Sequence, residues 1–426
     1  MTLKTPFITA VILAAAFQAA AQNSQYTAPG SLPFRELPTK DRLEKAATES
    51  KWHLGKLRFN PWYALRNVGY IDNVFATDGT PVSDYTATAG AGLHAYAHAG
   101  SKVIIAAHAL PEYVWWKDLE ERRTWNGRYG LGAFAYFNHL TFELTGTTAR
   151  ETQYLSSELE QPVNLRRDRG AGKIEFELGG HFSIFAGGEA VDLRYDEQDT
   201  SGPLGERVVL LDRDEERLNG GLRYRFSKDF NIALGLEDIA VDFTRPERDR
   251  SNSGLAPMAE LKYQRRKIRF SLLATYPDLE PEKDSGFVPF HEWLGRFQVR
   301  WVPKTRLEWQ LYGYKNLVYS VSENSPYFTD RRLGLAAGMP FGHRIGARLF
   351  TEFGTNDYVT SVIGTTEVDQ DIFSYGANFG FKFHKNMTFR FTIRRTDYSS
   401  ELHERDRSVT QIGFNLVLGE GTSEWW

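Results

Sequence analysis

The sequence predicts an all-β fold: an antiparallel transmembrane β-barrel of about eighteen strands behind a short periplasmic N-terminal segment. Three observations predict it. Apolar and polar residues alternate along most of the chain, as they do when successive side chains point to opposite faces of a strand. Short turns recur every roughly 40 residues, with longer polar connections between them, a rhythm that suits paired barrel strands. After the N-terminus no stretch approaches the about 18 uninterrupted apolar residues of a membrane helix.

The first residues read as a secretory signal over 1–21. Lys4 is a positive start, Phe7 to Phe17 is apolar, and Ala19-Ala20-Ala21 precedes Gln22 as a small-residue cleavage site. Residues 22–62 read as a periplasmic extension. Tyr26 to Pro38 holds several Pro and Gly residues and should be extended. Thr39 to Ser50 predicts a short helix, with Thr39 as N-cap, Asp41 and Glu44 early, and Leu43, Ala46 and Ala47 on one side. The barrel is expected over 63–419, with a periplasmic tail over 420–426.

The clearest hairpin runs from Trp293 to Gly313. Gly295, Phe297, Val299 and Trp301 alternate with Arg296, Gln298 and Arg300. A turn is expected at Val302-Pro303-Lys304-Thr305. Leu307, Trp309, Leu311 and Gly313 then alternate with Arg306, Glu308, Gln310 and Tyr312. In a soluble protein the apolar face would cover a core; here it is expected to meet lipid, with the charged face lining water. Other outward faces are Ile174, Phe176 and Leu178; Leu218, Leu222, Tyr224 and Phe226; Ile268, Phe270 and Leu272; and Phe389, Phe391 and Ile393. Tyr224, Phe226, Trp301 and Phe383 suit an interfacial girdle. Short turns are expected at Ala99-Gly100, Asn138-His139, Gly179-Gly180, Lys228-Asp229, Arg265-Arg266, Pro303-Lys304, Phe341-Gly342 and Lys385-Asn386. The longer connections include Arg150–Asp168, Asp196–Asp214 and Asn316–Asp330. Both chain ends then fall on the short-turn side. Two strands break phase: Val191, Leu193 and Tyr195 against Phe182, Ile184 and Ala186, and Ile239, Val241 and Phe243 against Ile232, Leu234 and Leu236. A β-bulge, or a strand end above the membrane, accounts for either.

The formal net charge of -3 gives no global pull towards nucleic acid, and the absence of Cys excludes a disulfide framework, a thiol nucleophile and a lipoprotein anchor. The negative mean hydropathy fits a secreted soluble protein, and equally a barrel in which only alternate residues meet lipid. A soluble β-sandwich is the competing fold, but its strands are typically shorter and lack the alternation of long and short connections.

The last strand adds to this. Gln411, Gly413 and Asn415 alternate with Ile412, Phe414, Leu416 and Leu418. The segment resembles the terminal strand by which outer-membrane proteins are recognised for insertion, with Gln411, Gly413, Phe414, Leu416 and Leu418 as the signal. It departs from that pattern in ending on Leu418, with Trp425-Trp426 several residues later. The run Trp52-His53-Leu54-Gly55, then Asn60-Pro61, then Gly69-Tyr70-Ile71-Asp72-Asn73-Val74 resembles the opening strand of bacterial barrels of the β-barrel porin-2 type, associated with exopolysaccharide or capsule export. The resemblance implies a Gram-negative outer-membrane barrel, with lipid, lipopolysaccharide and the barrel assembly machinery as partners. It supplies no catalytic residues.

Parity places a set of arginines inside: Arg223, Arg225, Arg296, Arg300, Arg306, Arg344, Arg348, Arg390 and Arg394. Glu143, Glu175, Glu177 and Glu189 form an opposing acidic wall on preceding strands. Such an arrangement sets up a transverse field, and Arg binds carboxylate and phosphate bidentately. The alternative is that Arg and Glu pair and hold the wall's shape. Tyr312 and Phe350 point inward as stacking surfaces or as filling. His94 and His98 share a face with His108 nearby, but positions i and i+4 on a strand lie roughly 13 Å apart, too far for one metal. His291, His343 and His403 occur near turns, and no motif there orders a nucleophile, base and orienter. The expectation is a porin-like channel for small or anionic solutes, saccharides among them. A non-conducting barrel of an export system comes second and a barrel enzyme third. No cofactor and no metal are expected.

Overall fold

The computed structural model describes residues 39–50, 52–76, 79–154, 158, 162–196, 208–304, 307–322, 324–342, 344–359, 369–384, 387–400 and 406–419. The expected signal peptide, the C-terminal tail and Arg306 lie outside them. Eighteen long strands close into one antiparallel barrel. They are β1 Leu57–Ile71, β2 Asp84–Ala99, β3 Val103–Trp116, β4 Thr124–Tyr136, β5 Leu140–Tyr154 and β6 Pro162–Glu177. β7 Phe182–Tyr195, β8 Arg213–Ser227, β9 Phe230–Phe243, β10 Asn252–Gln264, β11 Ile268–Thr275 and β12 Leu294–Lys304 follow. The last six are β13 Leu307–Tyr319, β14 Tyr327–Phe341, β15 Ile345–Tyr358, β16 Gln370–His384, β17 Met387–Ser400 and β18 Arg407–Gly419. Each pairs with its sequence neighbours, and β18 closes on β1 from Trp62↔Gly419 to Ile71↔Gln411. Closure leaves no free sheet edge, which a lipid-facing sheet requires. Two short segments, Asp278–Pro281 and Phe290–His291, prolong β11 and β12 towards the long-connection side, pairing as Asp278↔His291.

The expected outward faces are outward. Leu218, Leu222 and Phe226 on β8, Leu234 and Leu236 on β9, and Leu333 and Leu335 on β14 are all exposed large apolar side chains. Aromatic neighbours ring the ends of this band: Tyr276–Trp293 at 5.2 Å and Tyr113–Trp125 at 5.1 Å on one side, Tyr224–Phe226 at 4.5 Å on the other.

The two out-of-phase strands have a single explanation, and it is not a bulge: β7 pairs with β6 in one unbroken register, and the register shift of β9, between Phe230 and Asn231, lies before Ile232. Val191, Leu193 and Tyr195 share the inner face with Glu189, and Ile239, Val241 and Phe243 share it with Glu237. Many staves run to 14 or more residues, longer than the about 9–11 that cross a bilayer. Towards the long connections the polarity inverts. Asp192, Arg194 and Asp214 pair on the outside, at 3.2 and 2.8 Å, while the inside becomes largely apolar around one buried ion pair, Arg213 with Glu215 at 2.8 Å. There Leu193, Tyr195, Val241 and Phe243 pack with Val208, Val209 and Leu211 of the β7–β8 connection and with Phe287 and Phe290 of the β11–β12 connection. This end behaves as ordinary soluble β-structure with a dry core.

Three further expectations are corrected. Pro303 and Lys304 belong to β12, not to a turn, with a register shift between Trp301 and Lys304. Arg150–Asp168 is mostly strand, since β5 and β6 pair out to Tyr154↔Pro162; Asn316–Asp330 is likewise largely β13 and β14. Polar residues at strand ends above the apolar band carry the same sequence pattern as a loop. The first stave starts at Leu57 rather than at residue 63, and a bulge falls within β1 itself. There Asn67, at φ 53°, donates its N–H to Asn415 Oδ1 at 2.7 Å.

The helix α1 spans Thr39–Glu49. Its Ala46 and Ala47 carbonyls accept bonds from Asn60 Nδ2 (3.2 Å) and Arg58 Nη1 (3.3 Å), and Lys40 Nζ lies 5.7 Å from the Tyr136 ring centre. Asn60 and Tyr136 belong to the inner face in register, so α1 rests against the inside of the wall at the short-turn mouth.

Candidate functional site

The candidate site is the lumen wall. Inner-face residues of β5 to β10 carry both charges, and the expected acidic wall does not stand opposite the arginines; it interleaves with them. Glu175 on β6 accepts from Arg223 Nη1 on β8 at 2.5 Å and lies 3.0 Å from Lys173 Nζ. Arg223 also reaches Glu260 on β10 at 3.6 Å. Glu177 meets Arg225 at 3.2 Å. Glu189 accepts two bonds from Arg169, at 2.6 and 3.1 Å. Glu143 accepts from Tyr136 Oη at 3.3 Å. Strands two apart meet at one level in the Arg223 and Arg225 pairs, adjacent strands supply Glu189–Arg169 and Glu143–Tyr136, and Lys173–Glu175 lies within β6, so the charges neutralise side by side. Counting residues along one strand cannot reveal the pairs that join different strands.

The β12–β18 wall differs. Arg296 faces inward between Leu273 and Tyr314 in register. Arg300 bonds Glu308 at 2.5 Å, and Arg348 bonds Gln310. Arg390 sits opposite Asn415 and Gly380, and Arg394 Nη2 bonds Thr396 Oγ1 at 2.8 Å. Among the described residues Glu352 is the only carboxylate on the inner face of β15 to β18. Arg344 leaves the set: it is exposed in the turn after Gly342, whose φ of 71° reverses the chain, and its carbonyl accepts Lys382 N–H at 2.6 Å. Tyr312 and Phe350 do point inward but are 1% and 4% exposed, each ring lying where a Cβ on Gly334 or Gly376 would stand. They fill the wall.

Several lumen residues escaped the sequence reading. Arg332 is fully buried with Asp330 at 2.6 Å. Arg66 pairs with Glu112 and Arg128 with Glu151. Arg128 was findable, since Trp125, Tyr129 and Leu131 set its parity; Arg66 was not, because the bulge at Asn67 breaks the alternation.

At the long-connection mouth, Glu158 of the β5–β6 connection accepts Ser320 Oγ at 2.6 Å and Val321 N–H at 3.0 Å. Its carbonyl accepts Arg407 Nη2 at 3.1 Å. Ser320 follows β13, eight staves away, so this contact crosses the mouth. His94 and His108 sit opposite each other with ring centres 6.2 Å apart. His291 lies outside, its Nδ1 2.6 Å from Asp278. His343 and His403 lie outside the described residues. The terminal-strand residues Phe414, Leu416 and Leu418 face outward on β18, while Gln411 and Gly413 face inward.

No family model matches the chain, and no curated protein matches it. Solved structures do. The outer membrane protein opdK from Pseudomonas aeruginosa matches with a TM-score of 0.51 at 11% identity, over 85% of this chain and 99% of that one. A BenF-like porin from Pseudomonas fluorescens Pf-5 matches at 0.51 and 10%, over 87% and 99%. The chain has the fold of these outer-membrane barrels. OccAB3 of Acinetobacter baumannii matches at 0.50 and 11%, over 85% and 99%.

Proposed function

We propose that the protein is an outer-membrane porin-like channel that passes small anionic solutes. The short-turn rim, α1 and both termini face the periplasm, and the long connections meet lipopolysaccharide. The observation that carries the reading is the asymmetry of the lumen. The β5–β10 wall is neutralised by its own ion pairs. The β15–β18 wall presents Arg348, Arg390 and Arg394 against Glu352. Fixed positive charge along one side of a narrow aqueous tube raises the local concentration of anions, and guanidinium groups engage carboxylate and phosphate bidentately.

The test is the zero-current potential of the barrel in a planar bilayer under a salt gradient. The wild type should favour anions, and Arg348→Ser combined with Arg390→Ser and Arg394→Ser should move the potential towards zero. An unchanged potential removes the selectivity. A second reading is a non-conducting outer-membrane partner of an exopolysaccharide or capsule export system. The apolar core inside the long-connection end and the Glu158 crossing favour it, since both narrow the lumen. A correctly inserted but silent barrel would select it.

A further inference from the structure

Three rings lie side by side on the inner face of β1, β2 and β3. Trp62 and His94 are near-parallel, their planes 13° apart and their centres 6.1 Å apart. His108 continues the row, 6.2 Å from His94 at 41°. Face-to-face contact would bring parallel rings to roughly 3.5–4 Å, the spacing of touching carbon atoms. These rings are therefore displaced along the wall and pave it. Glycines make the paving possible. A Cβ on Gly92 would strike the Trp62 indole, and one on Gly130 would strike the His108 imidazole. The Trp62 and His108 rings thus occupy the space above bare backbone, with His94 between them. Unlike Tyr312 and Phe350, all three remain partly exposed. Polar groups border the row: Arg66 with Glu112, Arg128 with Glu151, and Asn126, whose Nδ2 bonds Thr152 Oγ1 at 3.0 Å. Below it Asn60, the register partner of His94, holds α1.

From this juxtaposition we propose that Trp62, His94 and His108 form a saccharide-stacking subsite in the lumen. A pyranose has one apolar C–H face and a rim of hydroxyls. The ring shelf takes the face. The bordering guanidinium–carboxylate pairs offer donors and acceptors together, as a hydroxyl rim needs. Because each guanidinium there is matched by a carboxylate, the shelf selects for the ring rather than for a charge. A carboxylate on an acidic sugar would be met by Arg390, beyond the intervening β18. The subsite rests on the channel reading, and the test separates the two.

The full barrel would be placed in a planar bilayer, with maltohexaose or trigalacturonate added on one side. Transient blocks of the ion current should appear with one or both sugars. Trp62→Ala should raise the half-blocking concentration about tenfold, the loss of one good aromatic contact. His94→Ala should raise it by less, and Trp62→Phe should restore most of the block. Retained resistance of the folded barrel to SDS confirms that each variant is folded. No block by either sugar at millimolar concentration, or equal block in Trp62→Ala, overturns the subsite. If the barrel inserts but does not conduct, the channel reading fails, and calorimetric titration of the same sugars into detergent-held protein decides the subsite by itself. Binding lost in Trp62→Ala sustains it; binding absent or unchanged ends it.

Discussion

Arg250 illustrates how single residues hold the long-connection end together. It is 5% exposed and donates to the carbonyls of Ser320, Pro326 and Ser322, so one buried cation serves three acceptors of the β13–β14 connection. Arg250→Ala should destabilise the barrel by about 2–3 kcal/mol, because charged hydrogen bonds are lost and buried carbonyls are left unsatisfied. A urea titration of the folded protein measures this; a change below about 0.5 kcal/mol would mean water replaces the guanidinium without loss. Gly376 tests the opposite fault. A Cβ there would meet Phe350 Cζ at 2.7 Å and press on the Ile393 carbonyl. Gly376→Ala should cost about 1–3 kcal/mol in the same titration, the usual penalty of overpacking. The inward parity of Phe350 was legible in the sequence. Its burial was not, because the glycine that receives it lies on the neighbouring strand.

The strand β9 shows what an element adds. Leu234 is exposed in the apolar band, whereas Val241, seven residues on, is 2% exposed in the inner core. Leu234→Arg should cost about 2–4 kcal/mol in folding into lipid vesicles, the usual penalty for a cation at mid-bilayer. In detergent, where a micelle deforms around the charge, the cost should shrink. Val241→Arg should be destabilising in both, because it forces a larger, charged side chain into a closed core beside Glu215, which Arg213 already satisfies at 2.8 Å. Equal behaviour of the two variants in detergent and lipid would contradict the inversion of polarity along β9. For β18 the expected outcome concerns assembly. Phe414→Glu with Leu416→Glu should lower the amount of folded barrel in the outer membrane, read by its heat-modifiable mobility in gels. If the terminal strand carries no insertion signal, the yield will not fall.

For the whole molecule, selectivity should depend on salt. The Debye length falls from about 10 Å at 0.1 M to about 3 Å at 1 M, so a field from wall-bound arginines should be largely screened at high salt. Zero-current potentials at several mean salt concentrations, each under the same gradient ratio, should converge towards the cation–anion mobility difference of the bulk salt. A preference that persists at 1 M would point instead to direct anion contacts at a constriction, of the kind the Glu158 crossing and the α1 helix could create.

The sequence by itself determined the class of fold and the facing of most staves. That follows from local physics: a strand has a period of two, and lipid and water on its two faces write that period into the residues. The terminal strand, the helix at Thr39–Glu49 and most of the short turns are equally local. Only the tertiary structure decided which charges meet. Glu175 and Arg223 are 48 residues apart and touch because closure sets strands two apart at one level. It also decided that Val191 and Val241 face a dry interior, since the connections that dry it, at Val208–Leu211 and Phe287–Phe290, fold in from elsewhere in the chain. The ring shelf of Trp62, His94 and His108 depends in the same way on register between strands. Parity is a property of one strand; pairing, enclosure and stacking belong to several, and no single stretch of sequence encodes them.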